Sequence, residues 1–169
     1  TRDGERDYAY ATPLPSLGVM VRQGTEDVVQ TAAVVWSPDS KKLATYQMDQ
    51  RGFPRLTAVQ AAPPDGFRPK AFDYAYTLAV DQELPRAHPV VFDVETRRAT
   101  RVSARPILQY YYGGPAFTWF PDNARFHYRE VDRGYTAVRL QEVQASTGRA
   151  RTILEETGAP QVYSYILSQ

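Results

Sequence analysis

The chain has no cysteine, which excludes disulfide scaffolds, thiolate metal sites and cysteine nucleophiles while leaving the compartment open. Charge of one sign is also missing. The 20 basic and 19 acidic side chains are scattered singly and leave a net charge of +1, so there is no extended basic field and no nucleic-acid partner is expected. Long hydrophobic runs are absent too. Residues 32–36 form one of the longest, about a quarter of the roughly 20 residues needed to cross a bilayer, and no membrane span is expected. The two histidines, His88 and His127, have no carboxylate at ligand spacing, so neither a metal nor another cofactor is expected. No Gly-x-Ser-x-Gly nucleophile elbow occurs, so a local catalytic triad is not expected. The opening run Thr-Arg-Asp-Gly-Glu-Arg-Asp has neither an initiator Met nor a signal-peptide pattern, and reads as part of a longer chain.

Aromatics and turn formers are plentiful. The 12 Tyr and 7 Phe, set among 13 Pro and 10 Gly, favour short strands joined by abrupt turns over long helices, and the expected class is all-β.

A repeat organises the chain. Trp36-Ser-Pro-Asp39-Ser-Lys-Lys-Leu43 is echoed by Trp119-Phe-Pro-Asp122-Asn-Ala-Arg-Phe126, each a Trp-x-Pro-Asp followed four residues later by an apolar side chain. Pro sets the first dihedral of a tight turn and Asp satisfies its backbone, so each copy reads as a β-hairpin. After the second copy, strands are expected at residues 126–129, 138–141 and 151–154, with turns at Asp132-Arg-Gly134 and Ala145-Ser-Thr147-Gly148. The middle strands alternate apolar and polar residues at period two, and four strands in about forty residues is the spacing of one propeller blade. Thr96-Arg-Arg-Ala99 parallels Thr147-Gly-Arg-Ala150, which extends the repeat to the far end of the unit.

The expected architecture is therefore a partial β-propeller of about two four-stranded antiparallel blades plus flanking strands. Residues 1–30 read as an inter-blade connection and 31–104 as a blade with a long ordered insertion near 61–86. Residues 105–157 read as a second blade and 158–169 as the start of a third. Because blades bury their faces against one another, two blades alone are expected to self-associate.

The order of these segments resembles the N-terminal β-propeller region of the dipeptidyl peptidase IV family, among the prolyl oligopeptidase-like serine peptidases. The resemblance is carried by Asp3-Gly4 with Asp7-Tyr8-Ala-Tyr10, Val35-Trp36-Ser-Pro-Asp39-Ser-Lys-Lys-Leu-Ala44, Met48-Asp-Gln-Arg-Gly, Tyr74-Ala-Tyr76, Val91-Phe-Asp93-Val-Glu-Thr96, Trp119, Asp132-Arg-Gly and Thr147-Gly-Arg-Ala-Arg151 with Leu154-Glu-Glu156. It implies a propeller that gates and orients peptide substrates for a separate α/β-hydrolase domain, in a periplasmic or extracellular protein, with catalysis outside this chain. A non-enzymatic propeller that binds a protein or envelope partner is the alternative, and a β-sandwich binding module is a weaker one.

In family members that release dipeptides, a Glu pair following an Asp-aromatic-x-Tyr run clamps the substrate amine by charge-assisted hydrogen bonds. Here Asp7-Tyr8-Ala9-Tyr10 is followed by Ala11-Thr12, neither of which can pair with an ammonium. The candidate acids elsewhere are Glu5, Asp7, Asp81 and Glu83. Glu155-Glu156 reads as a solvated strand end, and His88 as a structural or edge residue. His127, between Phe126 and Tyr128, is expected on a polar face. Tyr110-Tyr-Tyr112-Gly-Gly114 is expected to pack at a blade entrance, and Trp36 and Trp119 to share one packing role.

Overall fold

The computed structural model describes residues 7–16, 20, 30–110 and 113–162. Its strands are β1 (Tyr8–Tyr10), β2 (Val35–Trp36), β3 (Lys42–Asp49), β4 (Arg55–Gln60), β5 (Lys70–Ala75), β6 (Arg86–Asp93), β7 (Arg98–Arg101) and β8 (Ile107–Leu108), then β9 (Phe117–Trp119), β10 (Arg125–Val131), β11 (Ala137–Gln144) and β12 (Ala150–Thr157). A 3-10 turn at Arg133–Tyr135 joins β10 to β11. The class is all-β, and the architecture is a partial propeller of two antiparallel blades.

In the second blade β9, β10, β11 and β12 lie side by side in chain order. In the first, β2, β3, β6 and β7 follow the same order. The two hairpins that carry the Trp-x-Pro-Asp motifs match bond for bond. Ser37 N–H donates to Lys42 O and Phe120 N–H to Arg125 O, both at 2.9 Å. Ser40 and Asn123, which follow the Asp, have left-handed φ of 58° and 57°, a conformation in which a short polar side chain compensates the strain locally. At the far turns Arg97 and Gly148 occupy the corresponding left-handed position, at 56° and 72°.

The segment linking β3 to β6 carries the β4–β5 hairpin as a separate two-stranded sheet. This excursion leaves the blade directly after Asp49, ahead of the Pro- and aromatic-rich stretch near residues 61–86, because Arg-Leu-Thr-Ala-Val-Gln has ordinary strand composition and nothing marks it as an insertion. Leu56, Ala58, Phe72 and Tyr74 close on Met20 to form a small core of their own.

The N-terminal segment contributes more than a connection. β1 pairs with the Gln47–Asp49 end of β3, in line with β2 on the same edge. Ala33 N–H donates to Ala11 O at 2.8 Å where the two pieces meet. The first strand of this blade is thus assembled from residues on either side of a long excursion, a long-range join that local periodicity does not reveal.

Between the blades, Ala44, Tyr46, Met48, Ala87 and Val91 pack against Phe117, Phe126, Tyr128 and Val143. Phe117 meets Phe126 and Tyr128 edge-on, at centroid distances of 5.6 and 5.9 Å, contacts worth about 0.5–1.5 kcal/mol each beyond area burial. Along β10 burial alternates strictly, with Phe126, Tyr128 and Glu130 buried. Period two in the sequence has become two faces of one sheet.

His88 sits on β6, which β3 flanks on one side and β7 and β8 on the other. It is therefore a structural residue of an interior strand, not of an edge. Burial is the main cause holding its pKa below the ordinary value, with the Asp49 carboxylate opposing and Arg101, Arg86 and Arg51 adding to the depression. The folded chain thus takes up the proton less readily than the unfolded chain, so the contribution of His88 is full above about pH 6.5 and is lost as pH falls toward the depressed value. The melting temperature is expected to drop between pH 7 and pH 5, and His88→Gln to flatten that drop. An unchanged slope in the variant would remove His88 as the cause.

Candidate functional site

The position at which the resemblance would place an amine clamp, Ala11-Thr12, falls where the chain leaves the first blade. Ala11 ends β1 with a left-handed φ of 54°, its N–H donating to Tyr46 O at 2.9 Å. Thr12 is exposed, and its Oγ1 donates to Tyr10 O at 3.0 Å. Two residues further on, Leu14 and Gly113 exchange main-chain hydrogen bonds of 2.8 and 2.7 Å. The excursion after β1 is thereby tied to the segment that leads into the second blade.

The described candidate acids, Asp7, Asp81 and Glu83, do not converge on this position. Glu5 lies outside the described residues. Asp7 faces Arg55 at 3.7 Å, at the base of the β4–β5 hairpin. Asp81 accepts the Leu78 N–H at 2.7 Å, closing its own turn, and Glu83 is ion-paired with Arg86. The stretch holding these last two acids is pinned to the second blade by Arg133, which donates to Ala79 O at 3.0 Å and Gln82 O at 3.4 Å. Glu155 pairs with Arg139 at 2.8 Å, and both Glu155 and Glu156 are exposed on β12.

Tyr110 is half-buried against Tyr135, with centroids 5.4 Å apart, and burial pushes its phenol up to about 12. Tyr111 and Tyr112 lie outside the described residues. His127 lies on the opposite face of β10 from Phe126, with its ring against Phe120. The two tryptophans do not share one environment: Trp119 packs into the inter-blade core, whereas Trp36 is 51% exposed. The reason is the repeat itself, since the second blade has a blade in front of its Trp and the described first blade has none.

One charged cluster was missed by sequence reasoning. Glu130 is buried on the apolar face of β10, holding Arg105 at 2.5 Å and the Gln141 amide at 3.0 Å. Beside it, a hydrogen bond from Arg139 holds the Asp132 carboxyl below its usual range. A crevice of about 220 Å³ lies over these groups. An acid in period-two register with Phe126 and Tyr128 was the available signal. Each of these carboxylates is paired with a guanidinium inside the chain, so the cluster reads as structural. Among the described residues no three His, Asp or Glu side chains are placed to hold a metal, and no helix is long and apolar enough to cross a membrane.

Residues 25–162 match the family model described as the dipeptidyl peptidase IV N-terminal region. The chain belongs to that family. Solved structures agree with this family member in fold. A Porphyromonas gingivalis dipeptidyl peptidase 4 superposes with a TM-score of 0.66 over 92% of the chain at 14% identity. A Bacteroides ovatus protein described as a dipeptidyl aminopeptidase IV gives 0.59 over 76% at 20% identity. The chain spans 20% and 18% of those proteins, respectively. No curated protein matches it.

Proposed function

We propose that this family member is the non-catalytic propeller portion of a dipeptidyl peptidase IV-like serine peptidase, exported to the periplasm or beyond. Its role is to gate and orient peptides for a separate α/β-hydrolase domain. The observation that carries the reading is the family match over residues 25–162. The lack of a nucleophile elbow in the sequence agrees with it.

The residues at the clamp position bear on specificity. Ala11 and Thr12 offer no carboxylate, and Asp7, Asp81 and Glu83 each have a partner within the chain. A charge-assisted hydrogen bond contributes about 1.5–3 kcal/mol, or about tenfold and upward in rate when made in the transition state. Without such a bond, the intact polypeptide is expected to cleave a chromogenic dipeptide substrate and its N-acetylated counterpart with kcat/KM values within about tenfold of each other. The isolated chain is expected to cleave neither. Strong preference for the free amine would restore an acidic clamp supplied from outside the described residues. Absence of cleavage by the intact polypeptide would overturn the peptidase reading in favour of a non-enzymatic binding propeller.

A further inference from the structure

Two apolar clusters in the chain share no residue. One is the inter-blade core. The other is Met20, Phe72 and Tyr74, with Leu56 and Ala58 packed against them. The register of the β4–β5 hairpin pairs Leu56 with Tyr74 and Ala58 with Phe72, so these four side chains form two cross-strand pairs on one face of the ribbon. The opposite face is polar at Thr57, whose hydroxyl donates to Asp73 at 2.6 Å, and open at Val59, which is exposed. A two-stranded ribbon is marginally stable at best in water. What completes its apolar face is Met20, which comes from the N-terminal part of the chain and is 1% exposed.

The piece of chain that carries Met20 is rooted where β1 ends. Ala33 N–H donates to Ala11 O at 2.8 Å, and Gln30 Nε2 donates to Pro13 O at 2.9 Å. From β3, Thr45 Oγ1 donates to Ala33 O at 2.7 Å. Leu14 and Gly113 exchange main-chain hydrogen bonds. Ala11-Thr12 therefore stands at the root of the same segment whose Met20 fills the face of the hairpin. The other limb of the insertion is held by polar bonds, from Arg133 to Ala79 O and Gln82 O. The hairpin is thus set between an apolar dock on the N-terminal side and a guanidinium of the second blade.

We infer that Met20 is a positioning residue: it docks the β4–β5 hairpin on the first blade and, through the segment it belongs to, sets the place of Ala11-Thr12. Met20 and the hairpin then form a cooperative unit of their own, which opens at lower cost than the blades because its core is small and separate from theirs. Opening uncovers Phe72 and Tyr74 and loosens the root of the segment, so a peptide lying at Ala11-Thr12 binds the docked state. Docking and peptide binding favour each other for that reason. The docking is independent of the peptidase reading, and its effect on peptide binding rests on that reading.

Hydrogen exchange of the intact polypeptide, read by mass spectrometry, tests the docking. In Met20→Ala, exchange over residues 55–60 and 70–75 is expected to rise about thirtyfold, the lower end of what truncating a buried Met costs. The amides of Ala11, Leu14 and Ala33, each hydrogen-bonded in the docked state, are expected to follow, while β10 and β11 keep the parent's rates. Met20→Leu refills the space and is expected to restore both. For a chromogenic dipeptide substrate, KM is expected to rise about threefold in Met20→Ala at unchanged kcat, as a smaller docked fraction requires, and to return to the parent's value in Met20→Leu. Exchange that rises equally in β10 and β11 would make hairpin and blades one unit and overturn the inference. So would faster exchange in the hairpin with Ala11, Leu14 and Ala33 unchanged, which would leave Met20 a local packing residue. An unchanged KM in Met20→Ala, beside the full exchange pattern, would overturn the positioning role. A parent polypeptide that cleaves nothing marks failure of the peptidase reading alone, and the exchange rates still decide the docking.

Discussion

Gly148→Ala is expected to destabilise the chain by about 3 kcal/mol or more, lowering its melting temperature by about 10 °C. Gly148 has a left-handed φ of 72°, and a β-carbon built on it would lie 2.1 Å from Arg101 O. The left-handed conformation alone costs a side chain about 1–2 kcal/mol. The remainder comes from the clash, which no rotamer can relieve because the obstacle is backbone. That backbone belongs to the outer strand of the first blade, where Ser103 N–H donates to Gly148 O at 2.8 Å, so yielding means opening the blade boundary. Arg97 is the internal control. It occupies the same repeat position with φ of 56° and is exposed, and Arg97→Gly is expected to be neutral or to stabilise by up to about 1 kcal/mol. Urea denaturation of the two variants checks both signs, and a Gly148→Ala midpoint equal to the parent's would show that the boundary is not packed as described.

Gly114→Ala is expected to cost about 2–3 kcal/mol for a different reason. Here the new β-carbon would meet Tyr46, at 2.0 Å from Oη and 2.4 Å from Cζ. Tyr46 is fully buried in the inter-blade core, its hydroxyl has no hydrogen-bond partner among the described residues, and burial pushes its pKa up to about 12. Deleting an unsatisfied buried hydroxyl removes a desolvation penalty, so Tyr46→Phe alone is expected to be neutral or to stabilise by about 1 kcal/mol. Because Oη is the nearest obstacle, Tyr46→Phe should recover part of the Gly114→Ala loss, giving a coupling of about 1 kcal/mol in a double-mutant cycle. Strict additivity would mean that the ring does not bear on Gly114.

Much of this was legible before any coordinates. The two Trp-x-Pro-Asp hairpins could be read because tight turns impose their chemistry locally, through Pro38 and Asp39 in one and Pro121 and Asp122 in the other. The strands of the second blade followed from period-two alternation, since each residue's face is set by its immediate neighbours. The family resemblance was likewise carried by the order of such local segments. The candidate site was less legible: that Ala11-Thr12 stands where the resemblance would place an acidic pair could be read directly, but the partners of Asp7, Asp81 and Glu83 could not.

What the tertiary structure alone decided are the contacts between residues far apart in the chain. It joined Tyr8–Tyr10 and Val35–Trp36 along one edge of β3, and lifted Arg55–Gln60 out of the blade into its own hairpin. It buried Glu130 with Arg105 and gave the Trp119 indole N–H an acceptor that, among the described residues, Trp36 does not have. Turn chemistry and strand alternation are short-range consequences of side-chain type, so the sequence by itself determined them. Which strand edge, counter-ion or carbonyl a residue meets depends on packing that closes long loops, and no local pattern encodes it.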